Sequence, residues 1–126
     1  MSKYIDGFVI PISPDRLTEY EKAAELCSRI WKEHGALEYI EAVGDDLAGH
    51  GPDSRGAAEV FGAQSGETLV FAYIVYKSRE HRDEVNAKVM EDPRMKELCP
   101  EHNPEAKLSF DPARMMYGGF RVIVEN

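Results

Sequence analysis

The sequence contains few cysteines and fewer basic than acidic residues. The first feature argues against a disulfide-stabilised protein, and the second argues against a nucleic-acid-binding protein. Only two of the 126 residues are cysteines, Cys27 and Cys99, and they form no C-x-x-C pair. Two thiols so far apart predict reduced side chains and not a disulfide framework. The 15 Lys and Arg residues are outnumbered by 23 Asp and Glu residues, which gives a formal net charge of −8. Because nucleic-acid binding draws its affinity mainly from Lys and Arg, we expect no nucleic-acid partner.

The chain also has no long apolar run and no cofactor motif. The first apolar stretch, residues 3–12, is interrupted by Asp6 and Gly7 and contains Pro11, so it is too short for a membrane span. It lacks a small-residue cleavage site, and we therefore expect no membrane partner and a cytoplasmic location. Nucleotide-binding and metal-binding motifs of recognised spacing are missing, so we expect no cofactor and no metal. A length of 126 residues predicts one domain over residues 1–126.

What is present is a clear order of elements. The run Ser13-Pro14-Asp15 predicts the start of a helix over residues 14–34, which ends before Gly35. Ser78 predicts a second helix that ends near residue 92, with an extra turn at 94–98. Apolar and β-branched residues predict strands at 3–12, 36–43, 67–77 and 115–125, and a short one near 58–61 inside a glycine-rich loop at 44–66.

This order predicts an α+β fold of the ferredoxin-like β-α-β-β-α-β type. Such a fold is a four-stranded antiparallel sheet with both helices on one face. Alternation along the strands predicts that one set of residues faces the helices: Ile5, Gly7, Val9, Ile40, Ala42, Val70, Ala72, Ile74, Phe120 and Val122. The opposite face is then Tyr4, Asp6, Phe8, Tyr39, Glu41, Phe71, Tyr73, Val75, Tyr117 and Arg121. A surface with this many aromatic side chains is rarely left exposed to water, so it needs a partner. A second copy of the chain is the simplest partner, and we therefore expect a homodimer.

Five polar residues of that second face are candidates for chemistry: Asp6, Tyr39, Glu41, Tyr73 and Arg121. Two carboxylates, two phenols and a guanidinium can orient and protonate a small aromatic or oxygenated substrate. The same groups can instead form an ion-pair network that only fixes the dimer, with Arg121 bound to Glu41 or Asp6.

One histidine is a further candidate. His34 lies directly before Gly35 at the end of the first predicted helix, where a cationic side chain complements the helix C-terminus. The alternative role of His34 is that of a general base, which requires its ring to point into a pocket.

Four segments resemble the YbaA-like bacterial family, also described as domain of unknown function 1428. They are DGFVIPI at 6–12, KEHGALEYIEAVGDD at 32–46, FAYIVYKSREHRDEVNAKVMEDPR at 71–94 and FDPARMMYGGFRV at 110–122. The resemblance implies a ferredoxin-like fold that forms a dimeric α/β barrel. It implies no activity, although wider relatives of that barrel include cofactor-independent monooxygenases, haem-degrading enzymes and small isomerases.

Two hypotheses follow for the function. In the first, the protein binds a small molecule in a pocket of the barrel, and any reaction is a cofactor-free oxygenation or isomerisation. In the second, it is a non-enzymatic binding or interaction module whose polar sheet face only specifies dimerisation. A pocket lined by Tyr39, Tyr73 and Arg121 would favour the first, and an interior with every charge paired would favour the second.

Overall fold

A computed structural model describes residues 2–126, which form one four-stranded sheet with helices packed on it. In chain order the elements are β1 (Tyr4–Ile12), a 3-10 turn (Pro14–Arg16), α1 (Leu17–Glu33), β2 (Glu38–Val43), α2 (Ala57–Val60), β3 (Thr68–Tyr76), α3 (Arg79–Glu91), α4 (Pro93–Leu98), a second 3-10 turn (Pro112–Arg114) and β4 (Met116–Arg121).

All neighbouring strands are antiparallel, and their order across the sheet is β2-β3-β1-β4. The predicted four-stranded antiparallel sheet is therefore confirmed. The main core lies between the sheet and the helices, where Ile30 of α1 and Val85 and Val89 of α3 meet Ile74 and Tyr76 of β3. Each of these side chains is at most 3% exposed. We call this side of the sheet the helix side and the opposite side the open side.

The register corrects the predicted faces of the sheet. Directly opposed residues of an antiparallel pair point to the same side. Asp6 is opposite Ile74, and Ile74 is opposite Tyr39, so both polar residues share the helix side with the buried Ile74. The same rule shows that the predicted side is wrong for two groups of residues. Those that lie on the helix side instead of the open side are Tyr4, Asp6, Phe8, Tyr39, Glu41, Tyr117 and Arg121. Those that lie on the open side instead of the helix side are Ile5, Gly7, Val9, Ile40, Ala42 and Phe120.

For β3 the predicted faces are confirmed. Val70, Ala72 and Ile74 lie on the helix side, whereas Phe71, Tyr73 and Val75 lie on the open side. The error in β1 and β2 has a physical cause. Alternation favours the more apolar parity on the helix side, but carboxylates are buried there because the helices supply their hydrogen-bond partners, Arg82 for Asp6 and Tyr20 for Glu41.

The capping signals at Ser78 and Gly35 are confirmed, whereas the Ser13 side chain makes no cap hydrogen bond and residues 14–16 form a 3-10 turn ahead of α1. The Ser78 hydroxyl accepts a hydrogen bond from the His81 amide at 3.1 Å, and α3 ends before Asp92, as predicted. Gly35 follows α1 with a φ of 117°, a left-handed conformation that favours glycine. The short strand predicted near 58–61 is wrong, because those residues belong to the helical turn α2.

Candidate functional site

Asp6 lies under α3, where Arg82 neutralises it. Only 1% of Asp6 is exposed, and Arg82 Nη1 donates to its Oδ1 atom at 2.7 Å. The same Nη1 atom donates to the Tyr117 hydroxyl at 2.9 Å, and Arg82 Nε donates to Asp83 at 2.7 Å. The guanidinium carbon lies 5.0 Å from the centre of the Tyr4 ring. The carboxylate of Asp6 is thus matched by a cation from α3, which holds this helix against the sheet.

A neutral hydrogen-bonded cluster occupies the core between α1, α3 and β3. The Trp31 indole donates to the Tyr76 hydroxyl and to Asn86 Oδ1, both at 3.1 Å, and the Tyr76 hydroxyl donates to Asn86 Oδ1 at 3.2 Å. Tyr76 is fully buried, and burial raises its pKa above the ordinary value for tyrosine. The phenol therefore stays protonated, and the cluster joins the two helices to the sheet.

Glu41 lies on β2 beneath α1, and its carboxylate accepts hydrogen bonds from two phenol groups. The Tyr20 hydroxyl donates to Glu41 Oε1, and the Tyr39 hydroxyl donates to Glu41 Oε2 at 2.8 Å. Burial raises the pKa of both tyrosines well above the ordinary value, and the negative charge of Glu41 raises them further. Both phenols therefore remain hydrogen-bond donors, and Glu41 is the acceptor.

His34 is at the C-terminal end of α1, as predicted for a capping residue. Its Nε2 atom lies 2.9 Å from Oδ2 of Asp92, which is itself 8% exposed. Arg94 donates to the same carboxylate through Nη2 at 2.8 Å and through Nε at 3.0 Å. Hydrogen bonds from Arg94, then from His34, hold the pKa of Asp92 well below its ordinary value of 3.8. The histidine belongs to a polar contact between α1 and α4.

The structure separates the remaining two candidates from these groups. Tyr73 lies on the open side, with its ring centre 6.0 Å from that of Phe71. Arg121 is exposed at the end of β4, opposite Tyr4 on the helix side. The predicted pairing of Arg121 with Asp6 or Glu41 is wrong for the described residues, because Arg82 and the two tyrosines occupy those carboxylates.

Arg82 and Tyr20, which contact the candidate carboxylates of Asp6 and Glu41, were missed as candidates. A signal for Arg82 is present in the sequence, because it precedes Val85 and Val89 by three and seven residues and so shares their helix face. Tyr20 lies on α1, and its contact with Glu41 depends on the placement of β2, 21 positions further along the chain. No sequence pattern of α1 alone reports that contact.

The open side carries an apolar cavity next to the 44–66 segment. The cavity measures about 280 Å³ and lies between Leu47 and Phe61 of the segment and Val9, Phe71 and Met116 of the sheet. Beyond it the open side presents exposed apolar side chains: Phe71 is 53% exposed and Phe120 is 52% exposed. The Phe120 ring lies close to Gly7 and Gly118. A Cβ atom added to Gly7 would lie 3.4 Å from this ring, and one added to Gly118 would lie 3.2 Å from it.

The described residues also bear on metal binding, membrane spans and the state of the cysteines. Within residues 2–126, no group of three or more His, Cys, Asp or Glu side chains is placed to hold a metal ion. The helices of the same range include none that is long and apolar enough to cross a membrane. Both cysteines are free thiols.

The sheet order and helix packing define a ferredoxin-like α+β protein. A crystal structure of a dimeric ferredoxin-like protein from an uncultured marine organism covers all of this chain and all of its own, with a TM-score of 0.59 and 12% identity. The chain belongs to the family described as protein of unknown function (DUF1428), whose model matches residues 3–111. The predicted family resemblance is thereby confirmed.

Similar curated proteins cover nearly the whole length of the chain. The uncharacterized protein YbaA of Escherichia coli strain K12 is 39% identical over 124 residues, which is 98% of this chain and 98% of that protein. The uncharacterized protein YbaA of Shigella flexneri matches with the same identity and coverage.

Proposed function

We propose that this protein binds small apolar molecules as a cytoplasmic homodimer of single-domain chains. In this proposal two copies pack their open sides together, as in a dimeric α/β barrel. The observation that carries the proposal is the apolar cavity between the 44–66 segment and the open side. Its volume of about 280 Å³ is close to the lower end of the roughly 300–1,000 Å³ of small-molecule sites.

The partner in the proposal is a second copy because of what the open side exposes. Phe71 and Phe120 are each more than half exposed, and Ile40 is 39% exposed on the same side. We take these exposed apolar side chains on one side of the sheet as the mark of an interaction surface. The ferredoxin-like structural neighbour is described as dimeric, which is consistent with covering this side by self-association.

A reaction at this site stays a prediction. Of the six candidate residues, only Tyr73 lies on the open side, so a cofactor-free oxygenation or isomerisation there would depend on its phenol. The alternative, an interaction module without a ligand, is supported by the pairing of the helix-side polar groups. In residues 2–126, no buried side-chain nitrogen or oxygen lacks a hydrogen-bond partner.

The cavity is tested with toluene as the probe. In an NMR titration of the full chain, we expect toluene to shift the methyl signals of Leu47, Ala57 and Met116, which line the cavity. Ala57→Leu fills the cavity and should abolish the shifts. Toluene that leaves these signals unchanged, or that binds the Ala57→Leu variant equally well, would contradict the ligand-binding proposal and favour the interaction module.

The dimer is tested separately with a variant outside the cavity. Phe120→Ser removes a large apolar side chain from the open side, and we expect its sedimentation mass to fall to the 14.2 kDa of one chain. Met90→Ser is the matched control, because Met90 is 47% exposed but lies on α3. Equal masses for the two variants would contradict dimerisation through the open side.

A further inference from the structure

A second cavity lies on the other side of the sheet, between α1 and β2. It measures about 280 Å³ and is lined on one wall by Glu41 and Tyr20. Its remaining walls are mainly apolar, with Leu17 and Ala24 from α1 and Val43 and Val70 from the sheet. The cavity therefore combines one polar end with an aliphatic body, which is the pattern of a site for a small amphipathic molecule.

The polar end carries a charge that the protein does not neutralise. Glu41 belongs to no ion pair in the described part of the chain, in contrast to Asp6. Its two hydrogen-bond partners are the phenols of Tyr20 and Tyr39, which carry no positive charge. A half-buried carboxylate that accepts only from neutral donors can still pair with a cation that a ligand supplies.

The surroundings of Glu41 show the effect of this negative charge. Burial, followed by the charge of Glu41, raises the pKa of the Cys27 thiol to about 11. The same two causes act on Tyr39. Glu21, another carboxylate, also lines the cavity. The electrostatic field in the cavity thus favours a cation and disfavours an anion.

The hydrogen-bonding capacity of the carboxylate specifies the cation further. A carboxylate has about four acceptor positions, and the two phenols use one on each oxygen. The positions that are left suit a group that donates several N–H bonds from one centre. A primary ammonium does this, whereas a quaternary ammonium has no hydrogen to donate.

We propose that the cavity between α1 and β2 binds a small primary amine, with its ammonium group on Glu41 and its alkyl part against Leu17, Ala24, Val43 and Val70. The phenols of Tyr20 and Tyr39 hold the carboxylate in place and select its orientation. This site lies on the helix side, so it is distinct from the open-side cavity and does not depend on it.

The test compares two probes that differ in charge. Isopentylamine and isopentanol have similar alkyl groups, and we expect only the amine to shift the amide signals of Ala24, Glu41 and Val43 in an NMR titration at neutral pH. Equal binding of the amine and the alcohol, or no binding of the amine, would overturn the proposal.

Variants then assign the binding to Glu41. Glu41→Gln keeps an acceptor for the phenols and removes the charge, and we expect affinity for isopentylamine to fall roughly tenfold or more. Glu38→Gln is the matched control, since Glu38 lies on the same strand but on the open side, and it should bind like the native protein. If Glu41→Gln bound the amine as tightly as Glu38→Gln, the proposal would be wrong.

A third variant covers the case in which Glu41→Gln does not fold. Ala24→Leu adds bulk to the cavity wall from α1 and leaves the carboxylate unchanged. We expect it to fold and to lose amine binding. Retained binding in this variant would place the amine elsewhere and would also overturn the proposal.

Discussion

Removing one member of the buried pair of Asp6 and Arg82 should destabilise the fold strongly. Asp6 is 1% exposed, and the Arg82 side chain that reaches it is 12% exposed. Removing one member of such a pair leaves the other charge buried, which costs about 3–5 kcal/mol. Because Arg82 retains its contact with Asp83, we expect Asp6→Ala to lower the free energy of unfolding by about 3 kcal/mol, the lower end of that range.

The assay is urea unfolding followed by the fluorescence of Trp31, the one tryptophan of the chain. Protein concentration is held fixed, because association changes apparent stability. The control is Arg16→Ala, which breaks the exposed Arg16 and Glu19 pair, with side chains 46% and 69% exposed. We expect that control to cost less than about 1 kcal/mol.

A double variant separates the charge from the packing. Asp6→Leu combined with Arg82→Met replaces the pair by apolar side chains, and we expect it to recover most of the stability that Asp6→Ala loses, because apolar replacements of buried pairs are often neutral. If Asp6→Ala costs no more than the surface control, then the pair does not hold α3 on the sheet and this reasoning is refuted.

Three further predictions follow from individual contacts. Gly119→Ala should lower the free energy of unfolding by about 1–3 kcal/mol in urea unfolding, because its new Cβ would lie about 2.4 Å from the Tyr4 hydroxyl; unchanged stability would mean that Tyr4 moves freely. The pKa of Asp92 lies below 3.8 because the adjacent arginine donates to its charged form, so its stabilising contribution is complete above that pH and is lost as the pH falls below it. The free energy of unfolding should fall less on acidification in Asp92→Asn than in the native protein. An equal dependence of the unfolding free energy on pH in the two proteins would contradict this. Burial, and then the charge of Glu41, raises the pKa of the Cys27 thiol to about 11. Iodoacetamide should therefore label Cys27 slowly at pH 8 and faster in Glu41→Gln, as measured by mass spectrometry of the peptide that contains Cys27. Fast labelling of Cys27 in the native protein would disprove the raised pKa.

Local signals were sufficient to predict the order of elements. Capping by Ser78 and the glycine after His34 depend on residues within a few positions, and the structure confirms both. The dense apolar and aromatic run of β3 also predicted its position and its two faces. A run of this kind is recognised from its own residues, without knowledge of its neighbours.

The faces of β1 could not be predicted in the same way. Apolar residues occupy both parities of this strand, so alternation does not distinguish the two sides. The position of Asp6 on the helix side depends on a partner that the strand itself does not contain. Its partner Arg82 is 76 positions away in the sequence, and only the packing of α3 brings the two together.

The structure brings some of the candidate residues together and separates others. Glu41 and Tyr39 are brought together as expected, since they are two residues apart on one strand. Tyr73 was expected beside them but lies across the sheet, because the register of β2 against β3 places Tyr39 opposite Ile74 and not opposite Tyr73. Strand register depends on long-range pairing that one sequence does not report.

Contacts between chains test directly whether two copies meet through their open sides. In an equimolar mixture of ¹³C-labelled and unlabelled protein, isotope-filtered NOE spectra report only contacts between different chains. We expect intermolecular signals from Ile40, Phe71 and Phe120, which are exposed apolar residues of the open side. Spectra without intermolecular signals, or with signals only from α1 and α3, would contradict this arrangement.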